Sequence, residues 1–189
     1  MNHNLDHKSG LSREKWLGLA VQAMSRECKT KFSLDSLIQA MPVSKGSFYW
    51  HFKGRADFLA ALVEYWDRKD TQSVIDALET LPASASAADK LWELMCIVYE
   101  MDFGRYDLLI RSLALEFPNI REAVQAVDRK RLNTVRMLFS ELGFKGDELE
   151  MRVLAFVNTT SMDGIVFSGL SAAAFERQLK LRHEFFVRH

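Results

Sequence analysis

The sequence predicts an all-α chain of about nine helices, three in a compact N-terminal head and the rest in a helical bundle. Apolar residues recur at three- and four-residue spacings along nearly the whole chain, and hydroxyl or acidic residues stand before those runs as caps. No stretch alternates apolar and polar residues as a half-buried strand does. With 48% hydrophobic residues among 189, there is ample material for a core.

The first helix is expected over 12–27, with Ser12 as N-cap, Glu14 in the first turn and Leu17, Ala20, Val21 and Met24 inward. A second, short helix starts at Ser33 and buries Leu34, Leu37 and Ile38. Met41-Pro42-Val43 interrupts it, because proline disfavours α geometry at Met41 and brings no donor. Ser44 caps a third short helix reaching about Trp50. After Lys53-Gly54 a long helix carries Leu59, Leu62, Val63 and Trp66, then Val74, Leu78 and Leu81, with Pro82 beyond its end. Residues 83–88 are a short low-complexity connector. Helices follow over 89–101 and 104–117, the second stopped by Pro118. The next covers 120–142, with Ile120, Val124, Val127, Leu132, Val135, Phe139 and Leu142 inward and Gly143 past its end. The last two lie at 147–169, capped by Asp147, and 171–187, capped by Ser171.

Composition narrows the function. No apolar run follows Met-Asn-His-Asn-Leu-Asp-His-Lys at the N-terminus, and Asn158, Thr159, Thr160 and Asp163 break the longest apolar segment, so neither a secretory leader nor a membrane span is expected. Cys28 and Cys96 are far apart without metal-type spacing, which fits a reducing cytoplasm. There is no glycine-rich phosphate loop, metal-ligand cluster or nucleophile elbow, and Cys28 has no evident base. The sequence therefore predicts no catalytic residue, no cofactor and no metal site. The formal net charge of zero hides an asymmetry: residues 1–56 hold nine Lys/Arg against four Asp/Glu, a net of +5 that the remainder balances. A basic head on an acidic body suggests that only one end meets a polyanion.

Two short helices with a three-residue break form the skeleton of a helix-turn-helix, whose second helix must offer small or polar side chains to a groove. Ser44-Lys45-Gly46-Ser47-Phe48-Tyr49-Trp50-His51-Phe52-Lys53 meets that requirement. Lys45 and Ser47 bring a cation and a hydroxyl, Gly46 removes bulk, and Phe48 and Phe52 anchor the helix to the head. Tyr49, His51 and Lys53 fall on other faces, where they can hold phosphates. The helix N-termini near Ser33 and Ser44 are further phosphate candidates. Trp50 is left between a base contact and packing against the first helix.

The run from Val43 to Lys53 resembles the signature of tetracycline-repressor (TetR) regulators, with Arg55-Ala56-Asp57-Phe58-Leu59 in place of the helix opening that follows it and Ser12-Arg13-Glu14-Lys15-Trp16-Leu17 similar to the family's first helix. The resemblance covers residues 11–66; beyond them only the number, lengths and order of helices agree. It departs at Cys28-Lys29, at Phe32 and at Pro42, none of them facing a groove. The resemblance implies a helix-turn-helix DNA-binding domain over 1–53 and a helical effector-binding and dimerisation domain over 54–189. It implies a repressor that binds a palindromic operator as a homodimer and is released by a small hydrophobic or aromatic effector, in the cytoplasm and on the nucleoid when DNA-bound. Lys45, Ser47 and Trp50 match positions near bases; Tyr49, His51 and Lys53 match phosphate-holding positions. A dimer of the same fold that binds a ligand or protein without an operator is the alternative.

In the body, Tyr99, Phe103, Tyr106, Phe117 and Phe139 are candidate effector contacts, with Asn158, Thr159, Thr160 and Asp163 as polar ones. Ser161, Gly164 and Ser168 would let two helices approach closely, and with Phe167, Phe175, Leu179 and Phe186 they are the expected dimer interface. Asp128-Arg129-Lys130-Arg131 reads as a solvated face.

Overall fold

A computed structural model describes residues 11–26, 32–101, 104–162 and 169–189. Those residues form helices joined by short turns, without a strand. The order is α1 (Arg13–Arg26), α2 (Leu34–Ala40), α3 (Lys45–His51), α4 (Arg55–Asp67), a π-helical turn (Arg68–Gln72), α5 (Ser73–Glu79), α6 (Ala87–Glu100), α7 (Gly104–Glu116), α8 (Pro118–Glu141), α9 (Gly146–Met162) and α10 (Ala172–Val187). Because α4, the π turn and α5 follow without a break, they make one rod and the described helices number nine. No helix among the described residues is long and apolar enough to cross a membrane.

The chain divides into two compact units between Tyr65 and Trp66. In the first, hydroxyl caps start the helices as their sequence positions suggest. Ser12, Ser33 and Ser44 accept from the amides of Lys15, Ser36 and Ser47 at 3.2, 3.3 and 3.1 Å. Met41 is extended (φ −111°, ψ 151°), the backbone that a following proline enforces. The core is a mutual cluster of Trp16, Phe48, Phe52 and Phe58, all buried. All six ring pairs meet, with centroids between 5.2 Å (Trp16–Phe52) and 5.8 Å (Phe48–Phe58). Phe58 sits on α4, so the first turns of that helix belong to the head and the division falls well after the expected residue 53. Asp57 secures the same corner: its Oδ2 accepts from the Lys53 amide at 2.8 Å, and Arg13 lies 3.7 Å from its Oδ1.

The second unit has a core of Leu91, Met95, Phe139, Val153, Phe156 and Phe186 with apolar neighbours. Phe156 joins Phe139 at 5.7 Å and Phe186 at 5.2 Å, which ties α8, α9 and α10 together. Gly143 takes φ 97° after α8, where an L side chain would be strained.

Three boundaries differ from the sequence expectation for physical reasons. Pro118 begins α8 instead of stopping α7, since the first turn of a helix has no use for the missing N–H. Ser86, inside the expected connector, caps α6 in a reciprocal box with Asp89, and those bonds hold the Asp89 carboxyl below its usual range. Asp147 lies inside the first turn of α9, which starts at Gly146, so it favours the helix through the dipole and not as a cap.

If the aromatic cluster is what holds the head, Phe58→Ala should cost it about 3–5 kcal/mol. Hydrogen exchange of the α1–α3 amides checks this; unchanged exchange there would place Phe58 outside the head.

Candidate functional sites

On α3 the sequence sorts its side chains cleanly between core and solvent. Phe48 on α3 and Phe52 at its C-terminal cap are buried, while Lys45, Gly46, Tyr49 and Trp50 on the helix and Lys53 just beyond it are exposed. Trp50 is 85% exposed, so the expected alternative of packing against α1 is excluded: Trp16 already fills the head from that side. Ser47 and His51 are half-buried, less outward than their assigned roles suggested. The Ser36 and Ser47 amides are occupied by the hydroxyls of Ser33 and Ser44. The two caps therefore consume donors that the sequence offered to phosphates. Lys45 Nζ reaches Asp35 Oδ1 on α2 at 3.0 Å, and that bond, with the attraction of the same carboxylate, raises the lysine pKa. Both groups are exposed, so the pair orients Lys45 more than it stabilises the fold.

The body contains a second site that sequence reasoning missed. Asp107, 3% exposed, accepts from Arg111 Nε at 2.7 Å and Arg131 Nη1 at 2.6 Å. Arg111 also grips Asp128 with two nitrogens, at 2.9 and 2.7 Å. Arg131 donates to Thr71 Oγ1 on the π turn at 2.8 Å and lies 4.7 Å from the Trp66 ring centroid. Lys130 donates to both oxygens of Asp67, at 2.9 and 2.7 Å. The run 128–131 is thus no solvated face; three of its four charges sit in a part-buried network, and only Arg129 is exposed.

Beside this network lies a cavity enclosing about 60 Å³ of space for solvent centres. Its apolar side is formed by Val74, Leu78, Leu94, Val98, Val135 and Val157; its polar side includes Asp70, Asp107, Arg131, Thr160 and Ser161. Thr160 spends its hydroxyl on the Phe156 carbonyl at 2.8 Å. Asp70 is 8% exposed, and its Oδ2 has no hydrogen-bond partner among the described residues. Burial pushes its carboxyl up to about 7, with Arg131 opposing and Asp107 adding to the rise.

The expected effector contacts lie elsewhere. Tyr99 stacks on Phe175 at 4.4 Å at the surface, Phe117 precedes α8, Phe139 belongs to the core, Tyr106 is half-buried off the cavity, and Asn158 and Thr159 are exposed. Of the polar candidates only Thr160 lines the cavity, joined by Ser161, which was expected at the dimer seam. Leu179 and Phe186, also expected there, are buried in the core of the second unit. Phe103, Asp163, Gly164, Phe167 and Ser168, like Cys28 and Lys29, lie outside the described residues. The described residues contain no group of His, Cys, Asp and Glu able to hold a metal ion. In comparisons with family models, curated proteins and solved structures, nothing matches this chain.

Asp70 sets a pH dependence whose sign is opposite to that of a paired carboxylate. Its folded-state pKa lies above the unfolded one, so the native state binds the extra proton and stability falls as pH rises from about 4 to about 7. Asp70→Asn should remove that decline and stabilise the protein at pH 7 by an amount on the order of a few kcal/mol. Urea unfolding of both proteins across this range checks it; parallel curves would mean that Asp70 is solvated.

Proposed function

We propose that the chain is a one-component transcription regulator of the tetracycline-repressor type, a repressor that grips a pseudo-palindromic operator as a homodimer and leaves it when an effector fills its body. The observation that carries the reading is the outward stripe of α3. Lys45, Gly46, Tyr49 and Trp50, with Lys53 just past the helix end, face solvent from a segment that Phe48 and Phe52 lock to the aromatic core. An 85% exposed tryptophan buries little of its ring in the head itself. It suits a groove in which an aromatic edge meets bases and cations meet phosphates. The positive balance of the first 56 residues supports the same reading, as does the run from Val43 to Lys53 with its likeness to the family signature. On this reading the protein works in the cytoplasm and associates with the nucleoid when bound.

Release follows from a population shift: an effector that prefers the conformation unsuited to the operator draws the dimer off DNA. The chain passes from head to body inside an unbroken rod, and the turn of that rod bearing Asp70 and Thr71 lines the cavity. That continuity supports the rod as the coupling element.

For the dimer, the supporting observation is an apolar surface on α9 and α10. Met151 and Leu154 are exposed on α9, and Leu181 and Phe185 on α10, with Phe185 71% exposed. These replace Leu179 and Phe186 as the interface candidates of α10; Phe185 and Phe186 are neighbours, and the core takes the second.

Two measurements test the reading. Lys53→Ala should weaken binding to every duplex alike and reduce the salt slope by about one, whereas Lys45→Ala should weaken the operator more than a generic duplex. Fluorescence anisotropy at two salt concentrations checks this; wild-type protein without salt-dependent DNA affinity overturns the regulator assignment and leaves the head as a protein-docking surface. Phe185→Glu should convert the dimer to monomer in analytical ultracentrifugation, and a dimer that survives it would place the interface on another face.

A further inference from the structure

The charged groups around the cavity can be paired off, and one is left over. Asp107 and Asp128 are matched by Arg111 and Arg131, and Asp67 by Lys130. Only Asp70 remains, buried, with Oδ2 bonded to nothing among the described residues. α6 and α9 cannot compensate it, because they present Leu94, Val98, Val157, Thr160 and Ser161 to the cavity and no charge. A buried carboxylate without a partner is costly, and natural sequences retain one where something else completes it. The π turn that carries Asp70 is itself a departure from α geometry of the kind that gathers at functional positions.

We propose that the cavity binds a small cationic amphiphile, a short alkyl amine, whose ammonium docks on Asp70 Oδ2 while its hydrocarbon lies against the apolar side formed by Val74, Leu78, Leu94, Val98, Val135 and Val157. An anion is the wrong ligand, since both cations at the polar end are already committed: Arg131 to Asp107 and Thr71, Arg111 to Asp107 and Asp128. A neutral alcohol would fill the apolar side and leave the carboxylate unmatched. The space of about 60 Å³ suits a ligand of a few heavy atoms. The raised pKa of Asp70 adds a consequence: occupancy favours the ionised carboxylate, so amine binding tightens as pH rises through about 7, where a neutral ligand shows no such trend. The charged groups that act on Asp70 in this titration are Arg131 on α8 and Asp107 on α7, while Arg111, Lys130 and Asp67 nearby are paired with other groups.

In the regulator reading this amine is the effector, and for that role alone the inference rests on the regulator assignment; the binding chemistry does not need it. Calorimetric titration of the full chain, without DNA, separates the two. The probes are n-propylammonium, n-propanol and propanoate, each against wild type and Asp70→Asn. Propylammonium should bind wild type best and lose about 10- to 100-fold in Asp70→Asn, the range expected of a charge-assisted bond, while propanol is unchanged. Val98→Phe, which fills the apolar side, should abolish binding of both, and circular dichroism shows that each variant is folded. Preference for propanoate, equal amine affinity in Asp70→Asn, or failure of the amine to bind overturns the proposal. A protein that takes up the amine and ignores DNA keeps this site and loses the regulator assignment; one that binds DNA and rejects the amine does the reverse.

Discussion

The body of this protein is organised around one carboxylate. Asp107 is almost wholly removed from water, and it is tolerable there because two guanidiniums reach it from α7 and α8. Each arginine then carries the constraint onward, Arg111 to Asp128 and Arg131 to the π turn and the face of Trp66. Breaking such a network strands a charge in the interior, which costs more than the intact network contributes. Its larger effect is positional. The π turn, α7 and α8 are fixed relative to each other by directional bonds, not by apolar contact alone, and the cavity opens beside that fixed frame.

How much of this was legible in the sequence depends on the kind of signal. Helix starts marked by Ser12, Ser33, Ser44 and Ser171 follow local chemistry and lie where the sequence places them. The short helices of the head were equally readable, because Pro42 breaks the chain and Phe48 and Phe52 repeat at helical spacing. Trp16 and Phe58 were not identified as partners of that pair, since their meeting depends on how α1 and α4 cross. Among the candidate residues, the exposure of Trp50 follows from its phase opposite Phe48 on one short helix. The choice between Phe185 and Phe186 does not, because adjacent residues swap faces with a small rotation of α10.

The body site was missed for a more instructive reason. Between Trp66 and Val74 the sequence turns polar, and the rod looks interrupted by solvent-facing residues. In the structure Trp66, Asp70, Val74 and Leu78 all point inward at a spacing of four. On an ideal α-helix such a stripe drifts by about 40° per repeat, because one turn takes only ~3.6 residues. The wider π turn absorbs the drift and holds all four on the core side. The spacing itself was the available signal; the polarity of Asp70 and Thr71 concealed it. Long-range charge pairing concealed the rest: nothing local says that Arg131 turns inward while Arg129 faces water.

The two buried aspartates of the body differ in what depends on them. Replacing Asp107 would release two arginines, and α7, α8 and the π turn would lose their common anchor. Replacing Asp70 breaks no side-chain hydrogen bond among the described residues. A lineage carrying this fold is therefore free to vary the electrical character of its interior at one position while the neighbouring carboxylate stays under strict constraint. Rigidity and chemical preference reside in separate residues only one cavity wall apart, so the second can drift without endangering the first.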